Sequence, residues 1–160
     1  TWSCEDINHI KKEFELKKYV VLFPFCSPHL IIKKWPFYNE LIRLIKKNFL
    51  DEFKVVIAPG PNEVSETKNF DAITILDNEK VLNISQLASL IKDSSFVVAN
   101  DTGPAHMAAH LGVKGLSLFG KHTTAYKVSI ETKNFKAIQV NELKKLSAEK
   151  VFQRLKENIV

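Results

Sequence analysis

The stretch from Ser95 to His110, Ser95-Phe96-Val97-Val98-Ala99-Asn100-Asp101-Thr102-Gly103-Pro104-Ala105-His106-Met107-Ala108-Ala109-His110, leaves the chain little choice of local structure. Phe96 to Ala99 is a short apolar run, β-branched and aromatic, of the kind that fills a strand buried on both faces. Asn100-Asp101-Thr102-Gly103-Pro104 breaks the run. Asp101 and Thr102 are N-cap residue types, and Pro104 suits a first helical turn, where its missing N–H has no intrahelical partner to lose. Ala105 to Leu111 continues as helix. The unit is strand, tight turn, helix, with free backbone N–H groups expected at the helix start. Such a start attracts anions, because the N–H donors and the positive end of the helix dipole point the same way. Gly103 carries no side chain to hold a ligand off that backbone. His106 lies within a turn of the helix start and can donate a hydrogen bond. The same residue types also serve a helix start that is merely well capped, so both readings stand at this point.

The rest of the chain repeats the strand–helix rhythm. Tyr19 to Phe23 reads as the first buried strand, ended by Pro24. An amphipathic helix follows from about Phe37 to Phe49, with Leu41, Ile42, Leu44 and Ile45 inward. Lys54 to Ala58 is the second strand, and Pro61 is set to start a short helix. Ala72 to Leu76 is the third strand, and Ser85 is the expected cap of a helix with Leu87, Leu90 and Ile91 inward. Gly115 to Phe119 is the fifth strand, Phe135 to Val140 the last, and Ser147-Ala148-Glu149 opens a closing helix. Short apolar strands joined by crossover-length connections predict an α/β fold, a Rossmann-like doubly wound parallel sheet with helices on both faces. Thr1 to Lys18 is polar and charged, with Ile7, Ile10 and Phe14 at helical spacing.

Composition narrows the function classes. The chain has 160 residues and 45% hydrophobic content, enough for one globular domain with its own core. No apolar run approaches the roughly 20 residues that cross a bilayer, and Thr1 to Asp6 has no signal-peptide pattern. Cys4 and Cys26 have no metal-ligand spacing and read as free thiols of a reducing compartment. The net charge of +5 comes from scattered lysine pairs, not from a block interleaved with aromatics, which argues against nucleic acid as a partner. His106 and His110 stand four apart but lack a third ligand, so no metal is expected. No Gly-x-Gly-x-x-Gly follows a strand and no Gly-x-Ser-x-Gly is present, which removes the dinucleotide oxidoreductases and the α/β-hydrolases. No cofactor is expected.

Asp101-Thr102-Gly103-Pro104-Ala105-His106-Met107-Ala108-Ala109, then Leu111-Gly112 and Leu118-Phe119-Gly120, resembles the signature of the bacterial heptosyltransferases, glycosyltransferase family nine. These are GT-B enzymes that move heptose from ADP-heptose to the lipopolysaccharide core. Lys34-Trp35-Pro36 and Gly60-Pro61-Asn62-Glu63 also fit the family. Phe25 stands where the family commonly has glycine, and the loop Lys121-His122-Thr123-Thr124-Ala125-Tyr126 lacks the prolines usual there. The resemblance implies the C-terminal, donor-binding half of a GT-B enzyme, with residues 1–18 an interdomain linker or helix remnant and 19–160 the nucleotide-sugar-binding domain. It implies donor contacts from Ser27, Lys34, Glu63, Asp101, Thr102, Gly103, Pro104 and His106: Glu63 to ribose, Asp101 to heptose hydroxyls, and the others to the diphosphate. Lys121, His122, Thr123 and Thr124 are weaker candidates for phosphate or sugar, and Trp35 is a packing anchor. It places the general base in an N-terminal domain with no counterpart here, so no catalytic residue is expected in this chain. It also implies a cytoplasmic location, a lipopolysaccharide acceptor reached through the missing domain, and a peripheral contact with the inner membrane. Another GT-B sugar-nucleotide transferase, or a non-catalytic nucleotide- or phosphate-binding module, remains an alternative.

Overall fold

The computed structural model describes residues 3–25, 34–121 and 130–160. Six strands form one sheet, all neighbours parallel, in the order β3-β2-β1-β4-β5-β6. They are β1 Tyr19–Phe23, β2 Lys54–Ile57, β3 Ile73–Thr74, β4 Phe96–Asn100, β5 Gly115–Phe119 and β6 Phe135–Gln139. Among the described residues the α-helices are α1 Asn8–Glu13, α2 Tyr38–Phe49, α3 Ile84–Lys92, α4 Gly103–His110 and α5 Ala148–Asn158. This is the Rossmann-like strand order, with the chain reversing its direction of travel between β1 and β4.

Side-chain alternation in the central strands produces the two layers. Tyr19, Val21 and Phe23 of β1, with Val97 and Ala99 of β4, face one core together with α3 and α4 residues. Val20, Leu22, Phe96 and Val98 face a second core with Leu41, Ile42 and Ile45 of α2 and Val151, Phe152 and Leu155 of α5. A strand whose every residue is buried must read as an unbroken apolar run, and β1 and β4 do.

Two local details depart from the sequence reading. The cap of α3 is Asn83, not Ser85. Asn83 Oδ1 accepts from the Gln86 N–H at 2.8 Å, while Gln86 Oε1 accepts from the Asn83 N–H at 3.0 Å. That reciprocal box satisfies two helix-start donors at once, more than a lone serine can. Ser85 instead accepts from the Glu5 N–H at 3.0 Å, and the Ser89 hydroxyl donates to the Glu5 carbonyl. With Ile7, Ile10 and Leu16 buried in the first core, residues 5–16 lie along α3. After Pro61 the chain makes a turn and then a 3-10 helix, Val64–Asn69, with no buried residue to hold a full α-helix in place.

Gly115 opens β5 between two strands, paired with Val97 and with Phe135. A Cβ there would sit 2.6 Å from the Val97 carbonyl oxygen and 2.7 Å from the Phe135 ring. The first contact is with ladder backbone, which cannot swing away. Gly115→Ala is therefore expected to destabilise the fold by roughly 1–3 kcal/mol, read as a lower urea midpoint.

Candidate functional site

The carboxyl ends of β1 and β4 lie side by side, and the chain leaves them towards opposite faces of the sheet. That divergence opens the crevice where open α/β sheets take ligands. Its floor is pinned by Asn100, the last residue of β4, which is fully buried. Asn100 Nδ2 donates to the Pro24 carbonyl at 3.1 Å, and Asn100 Oδ1 accepts from the Tyr38 hydroxyl at 2.9 Å. One carboxamide thus fastens the exit of β1 and the first turn of α2 to the exit of β4. Beyond it, the Trp35 indole donates to the Leu146 carbonyl at 2.8 Å and packs edge-on against Tyr38, ring centroids 4.9 Å apart. Trp35 is the packing anchor expected of it, and it sets exposed Lys34 at the rim.

The start of α4 is more closed than the row of free donors expected there. Thr102 stands at the N-cap position, but its hydroxyl donates back to the Asn100 carbonyl at 3.3 Å rather than capping the helix. The Thr102 carbonyl accepts the N–H groups of Ala105 at 3.1 Å and His106 at 3.4 Å. Pro104 has no N–H. Among the described residues this leaves the Gly103 N–H as the unspent donor of the first turn. Gly103 is exposed, and a Cβ added there would meet nothing within 4 Å. Asp101 is buried beside this turn, with Oδ1 at 3.9 Å from Nε2 of half-exposed His106. The far end of α4 closes through Gly112 at φ 73°: its N–H reaches the Ala109 carbonyl, and that of Val113 reaches the Ala108 carbonyl.

Glu63 closes the turn after β2. Its Oε1 accepts from the Gly60 N–H at 2.8 Å, and its own N–H donates to the Gly60 carbonyl at 3.1 Å. Oε2 makes no hydrogen bond among the described residues, so the carboxylate keeps acceptor capacity. Glu63, Thr102, Gly103 and Pro104 line one cleft of about 400 Å³, whose other walls are apolar: Phe23, Phe25, Leu82, Ile84 and Leu87. Phe25 is buried and packs edge-on against Phe70 at 5.6 Å, so the residue that replaces the family's glycine becomes a wall of this cleft.

The structure therefore brings four of the eight expected donor residues into one cleft. Lys34 lines a separate pocket of about 320 Å³ with Gly120 and Lys121. Asp101 and His106 line neither. Ser27 lies outside the described residues, as do His122, Thr123 and Thr124. A larger cavity of about 770 Å³, between Lys46, Leu50 and Phe53, lies at the amino ends of β2 and β3 and shares no residue with the crevice. Asn100 and Tyr38, which shape the floor, were not legible as functional. The available signal was an amide closing a strand buried on both faces, where a polar group must find partners.

The family described as glycosyltransferase family 9 (heptosyltransferase) matches residues 3–156. No curated protein matches the chain in sequence. Among solved structures it is similar to E. coli heptosyltransferase WaaC with ADP-2-deoxy-2-fluoro heptose, at 25% identity and a TM-score of 0.71 over 88% of this chain and 43% of that one. It is also similar in fold to E. coli ADP-heptose lps heptosyltransferase II, at 18% identity and 0.73 over 94% and 50%. A more distant likeness is to UDP-GlcNAc 2-epimerase from Methanocaldococcus jannaschii, at 13% identity and 0.61 over 94% and 42%. The chain spans about half the length of these relatives or less.

Removing the pin should show its weight. Asn100→Ala removes the acceptor of the Tyr38 hydroxyl and the donor to the Pro24 carbonyl from a buried position, an expected loss of about 2–4 kcal/mol. Tyr38→Phe, which removes one hydroxyl, should cost about 1 kcal/mol. Urea unfolding of both variants checks the order.

Proposed function

The chain belongs to glycosyltransferase family 9, and on that premise we propose that it is the donor-binding part of an enzyme that transfers heptose from ADP-heptose to the lipopolysaccharide core. The observation that carries the reading is Gly103. Its helix start has one unspent N–H and open space where a side chain would be, so the glycine serves an incoming ligand better than it serves the fold.

In this reading the nucleoside lies in the apolar cleft against Phe25 and Leu87, and Glu63 accepts the ribose hydroxyls with the oxygen not held by Gly60. The diphosphate takes the Gly103 N–H, with Thr102, Pro104 and His106 around it and Ser27 and Lys34 from the loop after β1. Asp101 accepts from heptose hydroxyls. When the glycosidic bond breaks, the diphosphate leaves with added negative charge, and a fixed N–H and cationic side chains then stabilise it more than they did in the ground state. The support from relatives is that WaaC has been solved with an ADP-heptose analogue. The acceptor, with its general base, belongs to the part of the relatives that these residues do not span. A cytoplasmic enzyme working on a membrane-borne acceptor, in peripheral contact with the inner membrane, completes the proposal. A UDP-sugar donor is the second reading, favoured by the shared fold of the UDP-GlcNAc 2-epimerase.

Calorimetry with ADP, UDP and GDP separates the two: ADP is expected to bind tightest, and a preference for UDP would replace the heptose reading. Gly103→Val should leave the unfolding midpoint nearly unchanged, since its side chain enters open space, yet weaken ADP at least about ten-fold by blocking the N–H. His106→Ala should weaken ADP by about ten-fold as well, and unchanged affinity in both variants returns the motif to helix capping. The 160-residue chain alone should bind donor and transfer no sugar to a truncated lipopolysaccharide. Acceptor positioning is worth roughly 7–11 kcal/mol of barrier, so robust transfer by these residues alone would overturn the donor-half reading.

A further inference from the structure

One wall of the cleft proposed for the nucleoside is built by the stretch that joins β3 to α3. Leu82 and Ile84 flank the cap of α3, Leu87 lies in its first turn, and all three line the cleft. The stretch begins with a tight turn. Asp77 and Lys80 exchange backbone hydrogen bonds at 2.8 and 3.0 Å, and between them Asn78 and Glu79 hold φ at 50° and 67°. A glutamate in that left-handed region costs free energy, which its surroundings must offset.

The Asp77 carboxylate ties this turn to its surroundings. Its Oδ2 accepts from Gln86 Nε2 at 2.8 Å and lies 3.2 Å from Nε2 of His9 on α1. Gln86 is buried, and its carboxamide is spent at both ends, because its oxygen accepts from the Asn83 N–H. An ionised carboxylate only accepts, so it compels Gln86 to present its NH2 group and leaves the amide oxygen for Asn83. Asp77 thereby fixes the direction of the capping box, and with it the backbone between Leu82 and Ile84. The hydrogen bond from His9, then that from Gln86, hold the Asp77 carboxyl below the usual carboxylate range. The segment that carries His9 is itself anchored to α3. Glu5 donates to Ser85 and accepts from Ser89, and Lys11 pairs with Asp93.

We propose that Asp77 is a positioning residue, which sets this wall of the cleft through Gln86 and couples it to α1 through His9. The proposal rests on the donor reading only in giving the wall to a nucleoside. Asp77, His9 and Gln86 do not line the cleft themselves, so their effect reaches a ligand through Leu82, Ile84 and Leu87. The coupling changes with the charge on the imidazole. α3 carries no charged side chain before Lys92, so the other charges beside the pair are Glu79 and Lys80 of the turn and Glu5, Asp6, Lys12 and Glu13 near His9. Free imidazole gains its proton below about pH 6.5, where Asp77 is still ionised. The attraction of opposite charges is therefore present on the acid side of neutrality and fades as the pH rises.

The test follows the 160-residue chain by methyl NMR from about pH 5.5 to about pH 8, free and with adenosine. Adenosine is uncharged over this range and brings no phosphate to His106. In the free chain the Leu82, Ile84 and Leu87 methyl signals should titrate together, and His9→Gln should abolish that shift. Adenosine should bind about two-fold tighter at the acid end, the size expected of one exposed pair, and equally at both ends in His9→Gln. Asp77→Ala, which also releases Gln86, should weaken adenosine about three- to ten-fold. Asp77→Asn, whose amide oxygen still accepts from Gln86, should recover most of that loss at the alkaline end. A lower urea midpoint in Asp77→Ala with unchanged adenosine affinity would make Asp77 part of the fold alone and overturn the proposal. Wall methyls that titrate identically in His9→Gln would overturn it as well, and that comparison, made on an exposed side chain, decides alone where Asp77→Ala does not fold. Wall methyls that follow His9 in a chain binding neither adenosine nor ADP would sink the donor reading and support the coupling.

Discussion

The crevice exists because a single buried amide holds two diverging chain segments together. In an open parallel sheet, the loops after the two central strands run to opposite faces, and nothing in the ladder itself ties them. Asn100 does so from the end of β4, donating to the Pro24 carbonyl and accepting from the Tyr38 hydroxyl. Both partners are buried groups, one backbone and one on α2, and the amide meets them from the end of β4. Several of the residues proposed to touch ligand lie next to this point. Asp101, Thr102 and Gly103 come next in the chain, and Phe25 follows Pro24. Lys34 sits just before Trp35, which packs on Tyr38.

Three of the four glycines of the second half divide by what requires them. Gly115 answers to packing, since any Cβ meets the β4 backbone and the Phe135 ring. Gly112 answers to conformation, since the end of α4 needs a residue at φ 73°. Gly103 answers to neither: its φ is not positive, and a Cβ added there would meet nothing within 4 Å. A residue that the fold does not need, placed at a donor of a helix start left unspent among the described residues, is the kind of position that a ligand explains.

Much of the fold was legible because β1, β4 and β5 are short apolar runs separated by crossover lengths, a pattern that permits few topologies. The alternating faces, the cap of α5 at Ser147 and the helix start at Thr102-Gly103-Pro104 could be read from residue type alone. What escaped was pairing at a distance. Asn83 beat Ser85 as a cap because Gln86 returns its hydrogen bond, and Ser85 was drawn instead to Glu5, some eighty residues away in the chain. Thr102 has the right chemistry for a cap, yet its hydroxyl turned back to the Asn100 carbonyl. The carbonyl of Thr102, which no sequence pattern flags, took the N–H groups that a ligand was expected to find. Single-residue preferences name the candidates for a hydrogen bond, and the surrounding backbone decides which of them is used.

In the proposed reading, that narrowing of α4 means that a diphosphate needs groups from several loops. One N–H and the weak end of an eight-residue helix dipole supply only part of the charge that a diphosphate demands. The remainder has to come from side chains on other connections, and the sheet order delivers them. Glu63 follows β2, Lys34 follows β1, and Gly120 and Lys121 follow β5, the neighbours of β4 and of β1 on either side. Glu63 is kept off the phosphate end because its Oε1 is spent on the Gly60 N–H, which fixes the carboxylate at the β2 side of the cleft. The lysines lie in the other pocket, towards β5 and the turn at Leu143. Glu63 and Gly103 thus share one cleft, and the lysines line the neighbouring pocket. In the proposed reading, a nucleotide sugar with its ribose at Glu63 and its diphosphate at the Gly103 N–H points its phosphates away from the carboxylate and towards the lysines, so charge alone would set the ligand's direction.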